Sequence, residues 1–259
     1  MLPRLVTKFV HCLAASATVL TAVSTPVAAQ PPGLVVSVAT SAYDALDEIA
    51  GLYRAATGVT VAVNSGGSNT LARQIVEGAR VGLFLSADHA QMDVVEKAGL
   101  IVPGTRVRLL TNELAVIAPD RGSTVTLAQL LKGDVTRLAM GEPAAVPAGV
   151  YGRRWLERQQ AWVHLEPKVV PFATARGVVA AVDAGRVDAG IVFATDVIGS
   201  RVRVVARVAA NEHPYLDISY PAAVIRGASE SEARRFLEFL KAPAARAVFD
   251  KRGFGRPRE

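Results

Sequence analysis

The sequence predicts an α/β fold, either one large domain or two small lobes that would face each other across a cleft, and three observations predict it. After residue 33 the chain alternates short apolar strand patterns with helical patterns, as parallel sheets with crossover helices do. A second set of such units begins near Arg137, beyond an apolar segment, Leu109 to Ala118, long enough to cross from one lobe to another. Small or polar residues mark four loop-to-helix junctions, two in each half: Thr40-Ser41, Gly67-Ser68, Pro147-Ala148-Gly149 and Thr174-Ala175. Ligands of open α/β sheets sit at the carboxyl ends of the strands, so two facing lobes would aim these helix starts into one cleft.

Leu34 to Ala39 is mostly apolar, as in a buried parallel strand. A helix follows from about Ala42 to Thr57, with Leu46, Ile49, Leu52 and Tyr53 on one face and Gly58 as its stop. Val59 to Val63 forms the second strand, and a helix runs from Leu71 to about Ala79. Val81 to Ser86 is the third strand and Asp88 to Ala98 the third helix, with Met92 and Val95 inward. This βαβαβα order predicts a parallel sheet with right-handed crossovers. In the second half, Leu127 to Leu131 is a short helix and Arg137 to Gly141 a strand. A helix then runs to about Gln160, followed by an edge strand at Val169 to Pro171. Thr174 to Ala184 is helical, Ala189 to Phe193 is a buried strand, and Ala194-Thr195-Asp196 caps a short helix after it. Val202 to Val208 is a strand, and His213 to Ile225 returns to the first lobe. Two closing helices span Glu230 to Leu240 and Ala242 to Lys251.

The first 29 residues read as a secretory signal. Arg4 and Lys8 precede a mostly apolar run from Phe9 to Val23, and Val27-Ala28-Ala29 supplies small residues before a cut at Gln30. The run is broken by His11, Ser16, Thr18 and Thr21, too polar for a membrane span. The single cysteine, Cys12, lies within it, so the mature chain is expected to have no disulfide, thiolate metal site or thiol chemistry. The formal charge of +6 is scattered, without the basic and aromatic stripe that stacks nucleic acid bases. No nucleic acid partner is expected, nor a cofactor. No phosphate-cradling loop with Gly-Lys-Ser/Thr is present, and no cluster of His, Asp and Glu has metal-ligand spacing.

The stretch Ser65 to Thr70 shows best what the junctions offer. Strand, small polar loop and helix place unpartnered N–H groups and the positive end of a helix dipole at one point. Gly66 and Gly67 allow close backbone approach, and Ser68 brings a hydroxyl as cap or ligand. An ordinary βα turn has the same pattern, and only its recurrence at the other junctions points to an anion site. Ser41 and Ser68 have no histidine near them in sequence, which counts against a serine hydrolase without excluding one, because a triad assembles in space. Tyr53, Trp155 and Trp162 read as packing residues, and Asp44, Asp47 and Glu48 as acids near a helix start.

Five segments together resemble a known family, the periplasmic molybdate-binding proteins of ABC importers. They are Ala39-Thr40-Ser41, Ser68 to Ile75, Ser86-Ala87-Asp88, Gly141 to Tyr151 with its Val146-Pro147-Ala148-Gly149 core, and Gly190 to Asp196. Their order and spacing match across nearly the whole mature chain. The resemblance implies a type II periplasmic-binding-protein fold, two α/β lobes joined by two crossing strands. The chain would then divide into a signal at 1–29, a first lobe at 30–112, a second lobe at 113–218 and a return to the first at 219–259. It implies no enzyme, but a monomer that captures molybdate or tungstate in the periplasm and hands it to an ABC permease in the inner membrane. Carried over by position, Ser41 and Ser68 would give hydroxyl and backbone N–H donors, and Ala148 and Ala175 backbone N–H donors. The family's fifth ligand is usually a tyrosine hydroxyl, and this chain has Phe193 there. The site has one donor fewer unless Thr40, Tyr43 or a water replaces it. That departure keeps a different oxyanion, such as sulfate, open as an alternative, beside a secreted hydrolase or an interaction protein that has lost its ligand.

Overall fold

The computed structural model describes residues 33–257 except 210, 211, 214 and 228. The segment read as a secretory signal lies outside the described residues. The chain opens with β1 (Leu34–Ala39), α1 (Tyr43–Thr57), β2 (Val61–Gly66), α2 (Ser68–Val76), β3 (Leu83–Leu85), α3 (His89–Lys97) and β4 (Val107–Thr111). It continues with β5 (Leu114–Pro119), α4 (Leu127–Lys132), β6 (Leu138–Gly141), α5 (Pro147–Arg158), α6 (Trp162–Leu165), β7 (Val169–Phe172), α7 (Ala175–Asp183), β8 (Ala189–Phe193) and β9 (Val202–Val208). It closes with β10 (Ser219–Val224), α8 (Glu230–Lys241) and α9 (Pro243–Lys251).

Two five-stranded sheets result, ordered β2-β1-β3-β10-β4 and β7-β6-β8-β5-β9. In each, three strands joined through helices run parallel, as the strand–helix alternation predicts. Each sheet is nevertheless mixed: β10 lies antiparallel to β3 and β4, and β5 antiparallel to β8 and β9. The apolar run from Leu109 to Ala118 is not one strand. It breaks at Asn112-Glu113, placing β4 in one sheet and β5 in the other. The chain crosses there and returns between β9 and β10, which gives the two-lobed fold.

Two local expectations change. Leu52 is 40% exposed, while Leu46, Ile49 and Tyr53 are buried. Those three repeat at helical spacing and define the inward stripe of α1, and Leu52 falls off its edge. The second strand starts later and runs through Ser65 and Gly66, which pair with Val38 and Ala39 of β1. Backbone pairing along the whole length of β1 outweighs the poor strand propensity of Ser-Gly, so the glycine-rich loop shrinks to Gly67. Trp155 is buried in the core and Trp162, partly buried, packs against it, as expected of packing residues.

Candidate oxyanion-binding cleft

Five strand ends deliver residues to one small cavity. A single 3-10 turn, Thr40–Ala42, follows β1 and brings Ser41. Gly67 alone separates β2 from α2 and brings Ser68. The first turns of α5 and α7 bring Ala148 and Ala175 from the other lobe, and Phe193 ends β8. All five residues singled out in the sequence line this cavity. Among the described residues none that lines it is charged.

The local chemistry leaves donors unspent. Gly67 and Val146 precede α2 and α5 and provide no side-chain cap. Thr174 caps α7 at the N–H of Gly177, two residues beyond Ala175. First-turn N–H groups have no partner inside a helix, so those at the cavity are free for a ligand. Gly149 sets the seat of Ala148. A Cβ there would lie 2.1 Å from the carbonyl oxygen of Gly141, so only glycine lets α5 pack its first turn against the end of β6.

The serines are held from behind. Ser68 is buried and its Oγ accepts the N–H of Ala87 at 3.0 Å, so it does not cap its own helix. Its hydroxyl hydrogen is left over. Ser41 Oγ lies 2.8 Å from Tyr220 Oη, which lies 3.0 Å from Asn112 Nδ2. Sequence reasoning missed Tyr220 and Asn112. They stand 179 and 71 residues from Ser41, and only the antiparallel insertion of β10 brings them together. Phe193 is buried, its ring centroid 6.3 Å from Tyr151 and 5.7 Å from Tyr220. Of the two hydroxyls expected to replace the absent phenol, Thr40 lines the cavity. Tyr43 does not: it lies on α1, with the Arg176 guanidinium 5.4 Å above its ring.

The two lobes are also bridged by side chains. Arg176 on α7 pairs with Asp44 on α1 at 2.8 Å, so Asp44 does more than favour a helix start. Asp196, after β8, accepts the N–H of Phe193 at 3.1 Å. Burial pushes its carboxyl up to about 7, opposed by that hydrogen bond and by Arg176.

Among the described residues neither candidate serine meets a histidine. Ser41 faces Tyr220, and Ser68 faces a backbone N–H. His89 does contact a serine, with Nε2 2.7 Å from Ser219 Oγ, but its Nδ1 faces Arg106 at 3.0 Å where a triad needs a carboxylate. Among the described residues no group of three His, Cys, Asp or Glu could hold a metal ion, and no helix is long and apolar enough to cross a membrane.

Comparison with known proteins agrees with this architecture. Residues 34–255 match the bacterial extracellular solute-binding protein family. The molybdate-binding protein ModA of Escherichia coli (strain K12) is 36% identical over 230 residues, covering 85% of this chain and 88% of that protein. The periplasmic molybdate-binding protein of Azotobacter vinelandii superposes with a TM-score of 0.77 at 24% identity, over 87% of this chain and 100% of that one. The sulfate-binding protein SubI of Mycobacterium tuberculosis H37Rv shares the fold with a TM-score of 0.70 at 14% identity, over 85% of each chain. The fold therefore does not by itself choose the anion.

Proposed function

The chain belongs to the bacterial extracellular solute-binding protein family, among the molybdate-binding proteins, and we propose that it captures molybdate or tungstate for an ABC importer. The observation that carries this reading is the convergence of Ser41, Ser68, Ala148, Ala175 and Phe193 on one uncharged cavity between the lobes. The family binds solutes for transport and does not catalyse reactions.

Neutral donors suit a tetrahedral dianion for a physical reason. A lysine or arginine attracts any anion, whereas a closed ring of dipoles fits one size and one protonation state. Each buried donor left unmet costs about 1–3 kcal/mol. Sulfate is smaller than molybdate and leaves some donors too far away. Hydrogen phosphate carries a proton that a ring without acceptors cannot take. We further propose that the first lobe comprises residues 30–112 and 219–259 and the second residues 113–218. In this reading the chain works as a monomer, reaches the periplasm through cleavage of residues 1–29, and docks on an inner-membrane permease.

Titration calorimetry with molybdate, tungstate, sulfate and phosphate tests the reading. Tight binding of the first two and weak binding of the others is expected. Small-angle scattering should show compaction, because donors from both lobes favour the closed state. Absence of both molybdate binding and compaction refutes transport of this ion. Tight sulfate binding instead would favour the other oxyanion.

A further inference from the structure

We propose that Tyr220 is a positioning residue that turns Ser41 into an obligate donor toward the bound anion, through a one-way chain of hydrogen bonds from Asn112 to Tyr220 to Ser41. This rests on the oxyanion reading of the cavity and names what orders one of its donors.

The direction follows from counting hydrogens. The side-chain oxygen of Asn112 accepts the N–H of Glu113 at 2.9 Å, which fixes which end of the amide is nitrogen. That nitrogen has two hydrogens and two partners, Thr195 Oγ1 at 2.8 Å and Tyr220 Oη at 3.0 Å. An amide nitrogen only donates, so Tyr220 Oη accepts there. The phenol has one hydrogen, and its other partner is Ser41 Oγ at 2.8 Å. A buried phenol hydrogen without an acceptor is costly, and among the described residues Ser41 Oγ is the only acceptor it has, so Tyr220 donates and Ser41 accepts. The Ser41 hydrogen is left without use inside this chain of bonds, on a residue that lines the cavity.

The surroundings hold this polarity in place. Tyr220 is fully buried, with Phe193 and Phe254 ring centroids 5.7 Å and 5.3 Å from its own, so its hydroxyl cannot swing to solvent. Burial also pushes the phenol well above its usual range, and it keeps its proton at any physiological pH. Asn112 stands where the chain crosses between the lobes, anchored to Thr195 after β8. Ser68 reaches the same state by a shorter route, its oxygen spent on Ala87. Both hydroxyls thus face the ligand with a hydrogen, and each has a lone pair already engaged from behind. An anion whose oxygens all accept is welcome. One that brings a proton has only the second lone pair of each hydroxyl to bind, and must first turn aside the hydrogen that faces it.

The test is a double-mutant cycle of Tyr220→Phe with Ser41→Ala, read by calorimetry with molybdate and with phosphate at pH 8, where phosphate is mostly singly protonated. In the native background Tyr220→Phe should weaken molybdate binding about tenfold, the scale of one hydrogen bond to a charged group. It should weaken phosphate less, lowering the molybdate-to-phosphate ratio, because Ser41 released from Tyr220 can turn a lone pair toward the phosphate proton. In the Ser41→Ala background Tyr220→Phe should change molybdate affinity less than about twofold. If Tyr220→Phe fails to fold, Asn112→Ala carries the same cycle, since it removes the group that fixes the direction. An equal loss in both backgrounds, or an equal loss for both anions, overturns the positioning role while leaving the oxyanion site standing. Failure of the unaltered protein to bind molybdate or tungstate overturns the site and this role together.

Discussion

Replacing Gly67 by alanine tests whether the lobes must close over the ligand. The backbone at Gly67 has φ −62° and ψ 137°, which any L-residue adopts, so the change strains neither β2 nor α2. Its cost lies in what the new methyl meets. An added Cβ would lie 2.8 Å from Asn69 Oδ1 and 3.1 Å from the carbonyl oxygen of Ala173, which precedes α7 in the facing lobe. Asn69 Oδ1 is buried without a hydrogen-bond partner, so nothing holds that amide and it can turn aside. The Ala173 carbonyl is backbone and gives way only if the lobes part by a few tenths of an ångström. Overpacking of this kind costs about 1–3 kcal/mol. Only the closed state pays it. Molybdate affinity should fall about 5- to 150-fold. The unliganded melting temperature should stay within a degree or two, and the ligand-induced rise should shrink by the same free energy. Calorimetry and thermal melts with and without molybdate measure all three. Unchanged affinity would refute closure at this contact. A fall in unliganded stability equal to the loss of affinity would locate the damage inside the first lobe.

Ser68→Ala should both weaken molybdate binding by about 1.5–3 kcal/mol and lower fold stability by about 1–3 kcal/mol, because it strips the buried N–H of Ala87 of its acceptor. Denaturant melts without ligand check the second effect, which a purely ligand-facing hydroxyl would not show. Phe193→Tyr should tighten molybdate binding by about 1–2 kcal/mol if the added hydroxyl reaches the anion, and leave it level or weaker if Thr40 or a water already fills that place; calorimetry separates the two outcomes. Asp196 has a carboxyl raised from 3.8 to about 7, so the folded state holds its proton more tightly than the unfolded chain does. That contribution to stability is fully present below pH 3.8, declines as pH rises, and is gone above about 7. Asp196→Asn should therefore flatten the fall in melting temperature between those limits, and an unchanged pH profile would refute the assignment.

The sequence by itself determined the alternation of strands and helices, because that pattern is written in local periodicity and in stops such as Gly58 and Gly185, both of left-handed backbone. It also marked the four junctions that supply Ser41, Ser68, Ala148 and Ala175, since small and polar residues at helix starts are a local signal. The resemblance to a family added Phe193. Local pattern could not tell that Ser65 and Gly66 extend a strand, because that depends on how far β1 runs beside them. Nor could it find the antiparallel strand β10 beside β3, a pairing set by burial of Ala222 to Val224 rather than by neighbours in the chain. That insertion alone puts Tyr220 against Ser41 and Asn112 against Tyr220, across 179 and 108 residues. Which serine hydrogens face the cavity was likewise decided only in three dimensions. A hydroxyl's direction is set by the partners that surround it, and here those partners come from β10, from the crossing at Asn112 and from the loop after β3.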